Sequence, residues 1–171
     1  MTLSPLPRSP EFLSWQDVDK LIDHLLPQLR GPYDALLMIT RGGIIPGGLI
    51  AEALDIRFLL TAAIEFPTGG QERLAWPSFH QFPNDVLLKG RRTLIVDDIW
   101  AAGRTITAVK GRVQAAGGLP EAAVLHYKPG SNLFRDIGPD YYSAVTDRFV
   151  VYPWEVQRGP DPISREVPQP N

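Results

Sequence analysis

The chain has 171 residues, 44% of them hydrophobic and 21% charged, with a net charge of -2. It is long enough to bury one core and has no general electrostatic attraction for nucleic acid. The absence of cysteine excludes disulfides and thiolate metal sites, and no apolar run approaches bilayer length, so a cytoplasmic protein without a membrane partner is expected.

Residues 1–13 carry Pro5, Pro7 and Pro10 and read as an extended arm. Ser14, with Asp17 three residues on, has the spacing of a capping box. Val18, Leu21, Ile22, Leu25, Leu26 and Leu29 then recur at helical spacing, so an amphipathic helix is predicted up to Gly31 and Pro32, with His24 solvated on its polar side. Ala35–Ile39 is an unbroken apolar run, the pattern of a parallel strand buried on both faces.

The loop TRGGIIPGG follows, then the rest of a helix over Leu49–Leu54 and a second strand over Arg57–Ala63. Gly42, Gly43, Gly47 and Gly48 fit a tight turn with close helix packing. An arginine entering the loop at the C-terminal end of a parallel strand also suits an anion, because open α/β sheets place ligands there. The spacing matches neither a dinucleotide fingerprint nor a P-loop.

From residue 65 to 89 the periodicity fades and Pro67, Gly69, Gly70, Pro77 and Pro83 punctuate the chain. This reads either as a working lid or as a segment whose Trp76, Phe79 and Phe82 pack at a subunit contact, with His80 too isolated to be catalytic. Next comes TLIVDDIWAAGRT, Thr93–Thr105. A β-branched run ends at Asp97 and Asp98, and a short loop with Gly103 delivers the chain to a helix marked by Ile106, Val109 and Val113 and ended by Gly117 and Gly118. Unpaired amides at that helix start suit a phosphate at Gly103, Arg104 and Thr105. Carboxylates beside an anion make sense if the ligand also offers hydroxyls or a divalent metal.

Ala122–Tyr127 is a further buried strand running into Lys128, Pro129 and Gly130. Asp147–Glu155 reads as a strand with a proline turn and Trp154 filling core, and residues 156–171 as a proline-rich surface tail. Residues 14–155 are left as one α/β domain.

The Thr93–Thr105 stretch resembles the signature of the type I phosphoribosyltransferases, which bind 5-phosphoribosyl 1-pyrophosphate (PRPP). TRGGIIPGGLIAEAL is similar to the pyrophosphate loop of their bacterial and archaeal xanthine-guanine-hypoxanthine members. The resemblance implies an open, mostly parallel twisted sheet flanked by helices with a small hood, and transfer of a phosphoribosyl group from PRPP to a nucleobase, with Mg2+. It implies Asp97, Asp98 and Arg41 as catalytic residues, with Asp98 toward the metal. PRPP would be held by these three together with Gly42, Gly43, Ala101, Ala102, Gly103, Arg104 and Thr105. Strain and a non-proline cis peptide are expected near Thr40 and Arg41.

YKPG and DRFVVYPWE resemble the base-binding pieces of the same enzymes. They imply that Lys128 donates to a purine 6-oxo group, Phe149 stacks on the base and Val150 contacts it through its backbone. A homodimer or homotetramer is implied too, with Trp100 as a contact, since an apolar ring beside a phosphate loop needs cover. Purine members usually have an acid at the position of Ala101 and a threonine at that of Ala102. Both being alanine here supports a rival reading, a non-catalytic PRPP or nucleotide sensor. A receiver-like acidic-corner domain fits the isolated VDD but not the RGG loop.

Overall fold

The computed structural model describes residues 9–66 and 76–156. Most of the expected arm, the centre of the expected lid and all but the first residue of the expected tail lie outside the described residues. In chain order the elements are β1 (Glu11–Phe12), α1 (Trp15–Leu25), β2 (Ala35–Ile39), α2 (Ile44–Ala53), β3 (Leu59–Glu65), β4 (Ser78–Gln81), β5 (Arg92–Trp100), α3 (Arg104–Ala115), β6 (Leu119–Tyr127), β7 (Tyr141–Val145) and β8 (Val150–Val151). The described residues from 19 to 147 form one unit; residues 9–18 and 148–156 form a second.

In the larger unit six strands run in the order β4-β3-β2-β5-β6-β7. All neighbours are parallel except β3 and β4, so the expected open, mostly parallel α/β sheet is present. Apolar runs make the central strands: Leu36, Leu37, Leu94, Ile95, Val96, Val124 and Leu125 are fully buried. Each such side chain contributes roughly 1.5–3 kcal/mol by leaving water. Parallel pairing puts the C-terminal ends of β2, β5 and β6 on one edge of the sheet, where ligands of such folds bind.

At the opposite edge lies a polar cluster. Glu121 Oε2 accepts from the Tyr33 hydroxyl at 2.6 Å and the Tyr141 hydroxyl at 3.2 Å, and Arg92 reaches it at 3.4 Å. Burial, followed by the Glu121 hydrogen bond, pushes the Tyr33 phenol far above its usual range. Asp140 Oδ2 takes the Lys110 ammonium at 2.6 Å and the Ala122 amide at 2.7 Å, fastening α3 to the start of β6.

In the smaller unit β1 pairs in parallel with β8, Glu11 opposite Val150 and Phe12 opposite Val151. The capping box forms as its spacing requires: Ser14 N donates to Asp17 Oδ2 at 2.9 Å and Asp17 N to Ser14 Oγ at 3.2 Å. Trp154 is half-buried, its ring stacked on Tyr152 at 4.6 Å, rather than filling core.

Several boundaries differ from the sequence expectation. α1 stops at Leu25 and passes into a 3-10 turn over Leu26–Gln28, because Pro27 cannot donate to a continuing α-helix. α2 starts at Ile44 and takes Pro46, Gly47 and Gly48 into its first turns. The described part of the 65–89 segment is ordered structure: β4 returns antiparallel along β3, and Phe79 and Phe82, 5.3 Å apart edge to face, pack on the core cluster. An antiparallel return needs only a hairpin, so no crossover periodicity announces it. No motif marks β7, and only Val150–Val151 of the 147–155 stretch is strand.

Two glycines near the start of α2 make opposite predictions. A Cβ at Gly43 would stand 2.2 Å from the Val96 carbonyl and 2.8 Å from that of Ile39, whereas nothing lies within 4 Å of one at Gly48. Gly43→Ala should therefore cost ~3 kcal/mol, as backbone must move. Gly48→Ala should stabilise by ~0.8 kcal/mol through helix propensity. Urea unfolding midpoints at constant slope check both.

Candidate functional site

Alternation along a strand separates the two acids of β5. Asp97 lines a cleft of roughly 310 Å3, while the buried Asp98 carboxylate lies against Gly42, where a Cβ would be 2.5 Å from its Cγ. The Asp98 amide donates to Asp97 Oδ1 at 3.0 Å. The strand does not end at the acids, as the sequence suggested, but continues through Ile99 to Trp100. Burial first, and then the neighbouring Asp98 carboxylate, push the Asp97 carboxyl well above its usual range.

Beyond Trp100, residues Ala101, Ala102, Gly103, Arg104 and Thr105 line the same cleft. Gly103 takes a positive φ of 81° and begins α3, and no side chain caps that helix among the described residues. The first-turn amides and the positive end of the helix dipole are therefore available to an anion. The cleft thus brings together an acid and an uncapped helix start, a combination suited to a ligand with both hydroxyls and a phosphate.

Arg41 follows a cis Thr40–Arg41 peptide, in agreement with the expected cis bond, and its side chain is exposed outside the cleft lining. The turn is closed by Gly43 N donating to Ile39 O at 2.8 Å and Ile44 N to Arg41 O at 3.1 Å. Lys128 is half-buried after β6, its amide donating to Trp100 O at 2.8 Å. Phe149, 67% exposed, and the buried Val150 belong to the smaller unit.

Two features go beyond the sequence expectation. The Arg104 guanidinium lies 4.1 Å from the centroid of Phe66, which also lines the cleft. Phe66 sits directly after β3 and belongs to no motif, so nothing in the sequence points to it. Trp100 is fully buried within the chain, its Nε1 donating to Asn132 Oδ1 at 3.1 Å. The expectation that it contacts another subunit is overturned: the cover the ring needs comes from its own chain.

The phosphoribosyl transferase domain family matches residues 10–157. The xanthine-guanine phosphoribosyltransferase of Nitratidesulfovibrio vulgaris strain DP4 is 28% identical over 158 residues, covering 91% of this chain and 83% of that protein. The xanthine-guanine phosphoribosyltransferase of Gluconobacter oxydans strain 621H is 27% identical over 163 residues, covering 91% of each. The crystal structure of a purine phosphoribosyltransferase from Pyrococcus horikoshii Ot3 superposes with a TM-score of 0.74 at 29% identity, covering 90% of this chain and 99% of that one.

The raised Asp97 carboxyl carries a pH signature. A folded-state value above the ordinary 3.8 means that stability falls as pH rises from that value through the titration of the folded group. Asp97→Asn, which keeps the oxygen bonded to the Asp98 amide, is expected to raise the unfolding midpoint at pH 8 and to be neutral below the ordinary carboxylate range. Thermal unfolding at both pH values checks this.

Proposed function

The chain belongs to the phosphoribosyl transferase domain family, and from that premise we propose that it transfers the 5-phosphoribosyl group of PRPP to a 6-oxopurine, releasing pyrophosphate. The observation that carries the reading is the cleft that Asp97 and the uncapped start of α3 both line. The acid suits ribose hydroxyls and the helix start the 5-phosphate.

In this reading the bond from ribose C1 to the pyrophosphate oxygen breaks, and a bond from C1 to a base nitrogen forms through an oxocarbenium-like state. The nitrogen proton leaves to solvent. Asp97 and Asp98 hold the diol and oppose the developing positive charge, while the amides of Gly103, Arg104 and Thr105 grip the 5-phosphate. Arg41 and the backbone of Gly42 and Gly43 steady the departing pyrophosphate. Lys128 donates to the 6-oxo group, and Phe149 and Val150 frame the base. The protein supplies orientation and charge compensation.

No group of three or more carboxylate or imidazole side chains that could hold a metal occurs among the described residues. Two adjacent carboxylates nonetheless fit Mg2+, which is usually held by one or two carboxylates plus substrate phosphates. Asp98 with Asp97 would hold it alongside the ligand. The chemistry it would supply when bound is neutralisation of pyrophosphate charge.

Ala101 and Ala102 line the cleft with methyl groups, and a missing positioned base costs on the order of 10² to 10⁴ in rate without ending catalysis. The relatives named above are all transferases, which leaves the binding-only reading without support. A homodimer or homotetramer is part of the proposal, supported by Ile44 and Leu49 exposed on α2 and Leu54 exposed at its C-cap. So is a cytoplasmic location; no helix among the described residues is long and apolar enough to cross a membrane.

Pyrophosphate release should be measured with PRPP and Mg2+ against xanthine, guanine, hypoxanthine, adenine, uracil and orotate. Turnover with a 6-oxopurine is expected; PRPP binding without release for any base would overturn the enzyme reading. Asp98→Asn and Arg41→Ala should each weaken calorimetric PRPP binding by about 10- to 100-fold, the range for a charged hydrogen bond. Unchanged affinity in both would remove the site assignment.

A further inference from the structure

The uncapped start of α3 is built on a glycine with a positive φ, and glycine has no side chain to keep itself there. Something else must hold the loop if its amides are to stay aimed. Trp100 and Asn132 do so from below. A Cβ at Gly103 would stand 2.5 Å from Trp100 Nε1 and 2.9 Å from Asn132 Oδ1, so the Gly103 backbone rests directly on the hydrogen bond between them.

Asn132 is engaged on every side. Its Oδ1 accepts from Trp100 Nε1 at 3.1 Å and from Phe134 N at 3.3 Å. Its Nδ2 donates to Ile137 O at 2.7 Å and Phe134 O at 2.9 Å, and lies 3.3 Å from the Tyr127 hydroxyl. That uses both lone pairs and both protons of the amide. The buried indole has a single donor and no acceptor, so its partner is obligatory. Two backbone bonds run beside this pair: Leu133 N to Ala102 O at 3.1 Å and Lys128 N to Trp100 O at 2.8 Å. The segment from Lys128 to Leu133 is therefore laced to the loop from Trp100 to Gly103.

We infer that Asn132 and Trp100 are a positioning pair that fixes the amide cradle at the start of α3 and ties it to the Lys128 turn. This rests on the reading that a phosphate ester occupies that cradle. Neither side chain touches the ligand in this account. Their effect passes through the Gly103 backbone, where displacements of an ångström matter to a set of converging donors.

The probe is ribose 5-phosphate, titrated calorimetrically into wild type, Trp100→Phe, Asn132→Ala and the double variant, with unfolding midpoints measured alongside. Each single substitution should weaken binding by about tenfold, the effect of one lost buried hydrogen bond. The double variant should be no weaker than either single, because both break the same link. A purely structural role would lower the midpoints and leave the affinity of the folded fraction alone. Single variants that bind within twofold of wild type, or losses that simply add, overturn the inference while wild-type binding keeps the phosphate reading intact. A wild type that does not bind the probe removes that reading and the inference with it. Asn132→Ala deletes only a half-buried amide, so its affinity alone decides between these outcomes should Trp100→Phe yield too little folded protein.

Discussion

A methyl group at Gly42 would stand 2.5 Å from the Asp98 carboxylate, and one at Gly43 would stand 2.2 Å from the Val96 carbonyl. The turn after β2 and the end of β5 therefore meet at a separation that no side chain permits. That closeness puts the backbone following Arg41 beside the acids, and it buries Asp98 under the turn while Asp97 faces the cleft. The burial of Asp97 itself, and then the charge of Asp98 beside it, raise the Asp97 carboxyl. Backbone geometry comes first here and electrostatics follows from it.

The two ends of the sheet do different work. At the N-terminal edge charges and hydroxyls are paired off: Tyr33, Tyr141 and Arg92 converge on Glu121, and Asp34 takes the Arg92 amide at 2.8 Å. Such a hydrogen-bonded network rigidifies strands. At the C-terminal edge lie two adjacent acids, a helix that no side chain caps among the described residues and an arginine resting on an aromatic face. The N-terminal edge is tied to itself, and the C-terminal edge carries the cleft.

Much of this is legible in the residues. Ala35–Ile39 is a strand with the boundaries its apolar run predicts, and the β5–α3 junction falls where Gly103 suggests, because a positive φ at a helix start is what glycine is used for. What escapes is whatever depends on distant parts of the chain. β4 and β7 are edge strands whose burial is one-sided and short. Phe66 meets Arg104 only through the fold, and Asn132 looks like any turn asparagine until Trp100 is seen to need an acceptor. Placing Trp100 at a subunit contact rests on a sound premise, that an indole beside a phosphate loop must be covered. Its hydrogen-bond partner Asn132 comes later in the chain, and no local pattern points to it.

The pairing of β1 with β8 bears on how the chain is made. Glu11 and Phe12 leave the ribosome well before their partners, Val150 and Val151. Closing so long a loop brings its entropic cost early and its reward late. β1 therefore stays an open edge until β8 has been made, exposed to proteases and to the edges of other nascent chains. Brevity limits the hazard: with only two residues in the pairing, the early edge is too short to template a stranger.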